Sequence, residues 1–187
     1  MNLREQIINS TIDLFNEKGY KFRLDDIAEQ LFISKKTIYA QFSDKETLFM
    51  EVIRYCGGEA SKMQLEIIKN KKESYAEKLR GLLAVWPEHY RRLNRMQMIS
   101  LRVQNPKIAR KVKEYYDEEW EVVEDILKEA TFRGEIIHIP GHLLRSMLEA
   151  TLEKYVVEGA HPDGEAIYDD SIRKDIVRIL MNGIEIM

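Results

Sequence analysis

The amino-acid sequence predicts an all-α chain in which short, compact helices come first and longer helices follow. Three observations carry that expectation. Apolar residues recur at helical spacing almost from end to end. Cap-forming residues stand where the periodic runs begin. No stretch alternates apolar and polar residues as a half-buried strand would, and no internal repeat or low-complexity segment is present.

The first helix is read from Ile8, Ile12 and Phe15 at i, i+4 and i+7, with Ile7 and Leu14 widening the stripe. It should end at Lys18-Gly19, a basic residue followed by the residue that best tolerates a left-handed cap. The second helix shows Leu24, Ile27, Ala28 and Leu31 on one face, with Asp25 and Asp26 in the first turn where the dipole favours them. Ser34 caps a third helix, with Ile33 and Ile38 at the positions of a hydrophobic staple. Ser43-Asp44-Lys45-Glu46 reads as a capping box that opens a fourth. Gly57-Gly58 should interrupt or end it.

Beyond that point the elements lengthen. Pro87 and Pro106 read as first-turn prolines, the latter behind an Asn105 cap. From Ile108 through Val112, Tyr116, Val123 and Leu127 to Ala130 the apolar positions describe one long helix that closes near Gly134. Pro140-Gly141 breaks the chain before an apolar helix from about Leu143 to Val157. A loop through His161-Pro162 leads to a last helix with Ile172, Ile176, Ile179, Leu180 and Ile184 on one side.

At 187 residues, 44% hydrophobic and 33% charged, the chain has a globular composition. The single Cys56 excludes an intrachain disulfide and fits a reducing compartment. No apolar run approaches the roughly 18 to 20 residues needed to span a bilayer, so a cytoplasmic protein is expected. Net charge is −3, so a polyanionic partner would have to be met by local positive charge.

The third helix carries such charge in an unexpected place. Lys35 and Lys36 follow the Ser34 cap, at the helix end where the dipole disfavours cations by a few tenths to about 1 kcal/mol each. With Ile38 and Phe42 turned inward, Lys36 and Ala40 point outward and Thr37 and Tyr39 flank them. That face offers an ammonium, a hydroxyl, a phenol and a small surface, which suit phosphates and base edges. Against a phosphate, the lysines would add to the helix end. Two solvated lysines are the bland alternative. The short helix and tight turn before them form the pattern of a helix-turn-helix.

The run from Gly19 to Phe49 resembles the DNA-binding segment of TetR-type transcriptional regulators. The resemblance rests on Gly19-Tyr20, Ile27-Ala28, Ile33-Ser34, Thr37, Tyr39, Phe42 and Lys45-Glu46 with Leu48. It implies an N-terminal three-helix helix-turn-helix DNA-binding domain (residues 1–46) and a larger C-terminal helical ligand-binding and dimerisation domain (residues 47–187). It implies that Lys36, Thr37 and Tyr39 face DNA and that Lys45 contacts a phosphate, with Lys35 a further phosphate contact. With the Ser34 cap, and with Arg23 and Gln41, these make the expected DNA-binding set. Three positions depart from the family pattern. Arg23 stands where a phosphate-binding threonine is usual, and Gln41 where a tyrosine or histidine is usual. Phe32 occupies the glycine position of the turn. Either the turn adopts another geometry, or strain of about 1–2 kcal/mol is tolerated at a positive φ. Residues 1–50 hold seven Lys/Arg and eight Asp/Glu, a balance of −1. Modest non-specific affinity with strong salt dependence is therefore expected.

One recognition helix reads only a few base pairs, so a homodimer on a palindromic operator in double-stranded DNA is expected. The family pairs its last two helices. Here Leu144, Met147, Leu148, Leu152 and Tyr155, with Ile176, Ile179 and Leu180, are the candidate dimer interface. The apolar residues of the first of these helices cover more than one face, which a helix central to its own domain would also explain. Trp86, Tyr90, Met96, Met98, Tyr115, Tyr116 and Trp120 gather mid-chain, where the family often lines a cavity for an unidentified small-molecule ligand; plain core is the alternative for each. No P-loop, nucleophile elbow or dinucleotide fingerprint is present. His138 and His142 are separated by Pro140-Gly141, which breaks the helix that would align them on a metal. No catalytic residue, metal or cofactor is expected. The function that follows is a DNA-binding transcriptional regulator, a repressor released by a ligand. The alternative, a helical scaffold without DNA recognition, leaves the exposed Ser34-Lys35-Lys36-Thr37 and Tyr39 unexplained.

Overall fold

The structure is a computed structural model that describes residues 2–85, 92–158 and 170–186. Among these it contains nine α-helices: α1 (Leu3–Lys18), α2 (Leu24–Gln30), α3 (Lys35–Gln41), α4 (Lys45–Lys69), α5 (Tyr75–Val85), α6 (Arg95–Gln104), α7 (Pro106–Phe132), α8 (Gly141–Glu158) and α9 (Asp170–Asn182). A 3-10 turn over Gly19–Lys21 follows α1. The chain forms two compact units, Met1–Glu59 with His89–Tyr116, and Ala60–Glu88 with Asp117–Met187. This division differs from the expected break after residue 46, because α4 is one continuous helix and α6 packs on α1 and the 3-10 turn.

The first unit is built around aromatic residues. Phe15, Phe22, Phe42 and Phe49 are buried with Ile7, Ile12, Ile27, Ile38, Leu48 and Ile53. Phe15 and Phe49 meet at 4.9 Å between centroids, and Tyr20 stands edge-on to Phe49 at 5.0 Å. α1 starts from a full capping box, in which Asn2 accepts from the Glu5 N–H and Glu5 accepts from the Asn2 N–H. Gly19 ends it at φ 63, a conformation that favours glycine. A β-carbon there would stand 2.4 Å from the side-chain oxygen of Gln97, so glycine also permits the close approach of α6.

In the second unit Leu79, Leu82 and Leu83 of α5, Trp120, Val123 and Leu127 of α7, Leu144, Leu148 and Leu152 of α8, and Val177 and Met181 of α9 form the buried set. α9 packs against α5 and α8. After Gly134, an isolated antiparallel bridge joins Ile136 to Glu185. Arg80 pairs with Glu185 at 2.6 Å, and Glu135 accepts from the Ala76 N–H at 2.7 Å near the start of α5.

Several expectations about the elements need correction. Gly57-Gly58 lies inside α4 and does not end it. The fourth helix is capped by Asp44, whose carboxylate accepts from the Thr47 N–H at 2.7 Å, while Ser43 bonds the Thr47 hydroxyl. Glu46 turns away from the cap because Lys107 and Lys111 of α7 compete for it. Helix α5 carries a readable signal, a Ser74–Glu77 box with both hydrogen bonds formed. Pro87 and the His161-Pro162 loop lie outside the described residues.

Gly58 has open space where a β-carbon would stand. Gly58→Ala should therefore stabilise the chain by about 0.5–1 kcal/mol, since alanine loses less backbone entropy in a helix interior. Circular dichroism melts would show a higher Tm with unchanged helix content.

Candidate nucleic-acid interface

The geometry of α3 starts in the turn before it. Leu31 closes α2, and Phe32 adopts φ 54, the only positive φ among the described non-glycine residues. The Phe32 N–H donates to the Glu29 carbonyl at 3.2 Å and the Ile33 N–H to Ala28 at 2.9 Å. These two bonds make a Schellman ending, which requires a left-handed residue at the Phe32 position. Of the two turn geometries left open above, the strained one is present.

Ser34 then caps α3 by accepting from the Thr37 N–H at 3.1 Å, and its hydroxyl meets that of Thr37 at 2.9 Å. Ile38 and Phe42 are buried, while Lys36, Tyr39, Ala40 and Gln41 are exposed and Thr37 is half-buried. The inward and outward faces match the helical-wheel expectation. At the far end, Arg4 of α1 donates to the Gln41 carbonyl at 2.9 Å and to Glu51 at 3.1 Å, and stacks over the Phe42 ring at 4.3 Å. Arg4 is an anchor of α3 that the sequence does not announce, since its partners are 37 and 47 residues away.

The three candidate lysines have separate fates. Lys36 is exposed and has no ion-pair partner among the described residues. Lys35 pairs with Asp25 of α2 at 2.7 Å, in an exposed contact. Lys45, expected to contact a phosphate, is held from within its own unit. Its ammonium donates to the Tyr20 and Phe22 carbonyls at 2.7 and 2.6 Å and lies 4.2 Å from the centroid of each ring. This half-buried cradle holds the charge more cheaply than bulk burial would, because carbonyls and ring faces both carry negative potential. Desolvation still draws the Lys45 pKa below the usual lysine value. The Tyr20 phenol beside it is pushed up to about 12, mainly by burial and then by Glu46 and Asp44.

Arg23 precedes α2 and is exposed. An arginine side chain accepts no hydrogen bond, so only the reciprocal half of a capping box forms: Asp26 accepts from the Arg23 N–H at 2.6 Å. That bond is the main reason the Asp26 carboxyl is held below its usual value. The Thr47 N–H does the same for Asp44, and Lys111 and Lys107 for Glu46.

The other candidate residues are dispersed. Trp86 and Tyr90 lie outside the described residues, as does the side chain of Tyr155. Met96 is exposed, Met98 and Tyr115 are half-buried, and Tyr116 and Trp120 are buried. The first four belong to the first unit and Trp120 to the second, where Arg145 stands over its ring at 5.4 Å. A cavity of about 390 Å³ in the second unit is lined instead by Leu127, Phe132, Ile139 and Pro140 with Glu124, Lys128 and His138. The dimer set also splits. Leu144, Leu148 and Leu152 fall at i, i+4 and i+8 and are consumed by the core of their own unit, so they are not surface residues. Met147 and Ile179 are exposed, and Ile176 and Leu180 are half-buried.

Residues 7–52 match the family model of the bacterial regulatory proteins of the tetR family. The HTH-type transcriptional regulator YvaF of Bacillus subtilis is 26% identical over 180 residues, 96% of this chain and 94% of that protein. The biofilm operon negative transcriptional regulator IcaR of Staphylococcus aureus is 36% identical over 55 residues, 29% of this chain and 30% of IcaR. Among solved structures, the transcriptional regulator FadR of Bacillus subtilis in complex with stearoyl-CoA superposes with a TM-score of 0.76 at 23% identity, over 97% of this chain and 99% of FadR. No described helix is long and apolar enough to cross a membrane.

Two predictions follow from the anchors around α3. Lys45→Ala should lower stability by about 1–2 kcal/mol, a charged hydrogen bond discounted for its partial exposure; urea unfolding would read it as a lower midpoint with unchanged slope. The Asp44 carboxyl has its folded pKa below the unfolded value, so its contribution is complete above about 3.8 and is lost as pH falls further. Asp44→Ala should accordingly reduce Tm at pH 7 and lose most of that effect at pH 2.5.

Proposed function

We propose that this chain, a TetR-type transcriptional regulator, binds a palindromic operator as a homodimer and represses transcription until a small molecule releases it. The observation that carries the reading is the outward face of α3. Lys36, Tyr39 and Ala40 are exposed on a helix whose other side, Ile38 and Phe42, is buried behind a helix-turn-helix bend. Lys36 supplies the open charge for a phosphate or a guanine edge, and Tyr39 and Thr37 supply hydroxyls for neighbouring backbone or base atoms.

Two exposed apolar positions support dimerisation. Met147 of α8 and Ile179 of α9 stand on two helices that pack together, and Leu143 adds a third exposed apolar side chain on α8. Solvent-facing apolar residues on adjacent helices fit a contact between two copies. The repressor sense draws on IcaR, a negative regulator, and the ligand on FadR, seen with stearoyl-CoA. A long-chain acyl-CoA is therefore the first probe for release.

Fluorescence anisotropy with duplex DNA from upstream of the protein's own gene, read at several salt concentrations against a shuffled duplex, tests the reading. Selective binding that weakens steeply with salt is expected. Lys36→Ala should weaken it, change the sequence preference and reduce the salt slope by about one per protomer. Asp25→Asn should tighten binding by up to about fivefold, because Lys35 loses its internal partner and becomes available to a phosphate. Equal binding to both duplexes with no effect of Lys36→Ala would defeat the assignment of α3.

A further inference from the structure

Phe32 is an exception among the phenylalanines of the first unit. Phe15, Phe22, Phe42 and Phe49 are buried, whereas Phe32 is 96% exposed. Its backbone is also in the left-handed region at φ 54, held there by the two hydrogen bonds that close α2. Glycine satisfies that position without strain, and asparagine nearly so. The phenyl ring therefore disfavours the turn it sits in and buries no area in return. An exposed, strained, apolar side chain at one defined point has the character of a contact residue.

The position of the ring identifies the partner. Phe32 lies two residues before Ser34, the cap of α3, so its Cα is within about 8 Å of the start of the recognition helix. In a helix-turn-helix, this helix enters the major groove, and the turn before it lies at the rim where the sugar-phosphate chain runs. An uncharged ring cannot serve a phosphate. The apolar surface that a duplex presents at that rim is the carbon face of the deoxyribose. We propose that Phe32 is a DNA-contacting residue whose ring packs on a backbone deoxyribose beside α3. The inference rests on the DNA-binding reading of α3 and adds to it an apolar, sequence-independent anchor at the position where the family carries glycine.

Because the contact is uncharged, it has a signature that no lysine substitution shares. In the full-length chain, Phe32→Gly and Phe32→Asn should raise Tm by about 2–4 °C as the strain is relieved. The same variants should bind the duplex selected by the wild type about five- to tenfold more weakly, the expected loss for partial burial of one ring. The decrease should be equal at every salt concentration, leaving the slope of log K against log salt unchanged. Phe32→Tyr, which keeps the ring, should bind like the wild type. If the glycine variant binds as tightly as the wild type, or if both variants melt at or below the wild-type temperature, the proposal is overturned. A reduced salt slope would also overturn it, because the lost contact would then be ionic. If the wild-type chain binds no duplex at all, the DNA-binding reading itself fails and the Phe32 assignment falls with it.

Discussion

A seven-residue helix has almost no stability of its own in water, because the cost of nucleation is recovered only over many residues. α3 must therefore be held from outside, and the first unit is organised around holding it. At one end the Schellman turn at Phe32 and the Ser34 cap set where the helix begins. At the other, Arg4 clamps the Gln41 carbonyl and covers Phe42. Between them Ile38 is wholly buried. The outward residues inherit their positions from these anchors, so Lys36 and Tyr39 are oriented by groups that need not touch DNA themselves.

The same economy governs the charges. Three lysines lie in or beside α3, but only Lys36 is left open; Asp25 holds Lys35, and carbonyls with aromatic faces hold Lys45. Residues 1–50, with a balance of −1 and Lys36 as the one open lysine of α3, contribute a small non-specific term, since that term counts neutralised phosphates. Selectivity then depends more on the fit of α3 in the groove than on net charge. The strain at Phe32 belongs to this picture, because an apolar contact adds affinity without adding salt-sensitive attraction.

Most of this was legible from local patterns. Ser34, the Ile33–Ile38 spacing and the inward pair Ile38 and Phe42 located α3, because caps and helical periods are properties of a few consecutive residues. The conflict at Phe32 was legible for the same reason, although its resolution required the hydrogen bonds that fix the turn. What the sequence could not express was pairing across distance. Lys45 looks like an exposed first-turn lysine until the 3-10 turn brings two carbonyls to it. Glu46 fits a capping box until Lys107 and Lys111 take it. The glycine pair in α4 misled because a helix tolerates glycine when neighbouring turns carry it; the penalty of about 1 kcal/mol per residue does not break the helix.

The apolar residues of α8 show how burial separates two roles that a sequence superimposes. Leu144, Leu148 and Leu152 fall on one stripe and are buried, whereas Leu143 and Met147 lie on another and are exposed. On α9, Val177 and Met181 are buried while Ile179 faces outward. A single stripe suffices to seat a helix on its own core, and the second stripe is left exposed among the described residues. Two adjacent helices with outward apolar residues on both can bury them against a second copy of themselves, since a two-fold axis presents each surface to its own duplicate. That arrangement would bring two α3 helices into one assembly, and a palindromic site is the DNA that such symmetry matches.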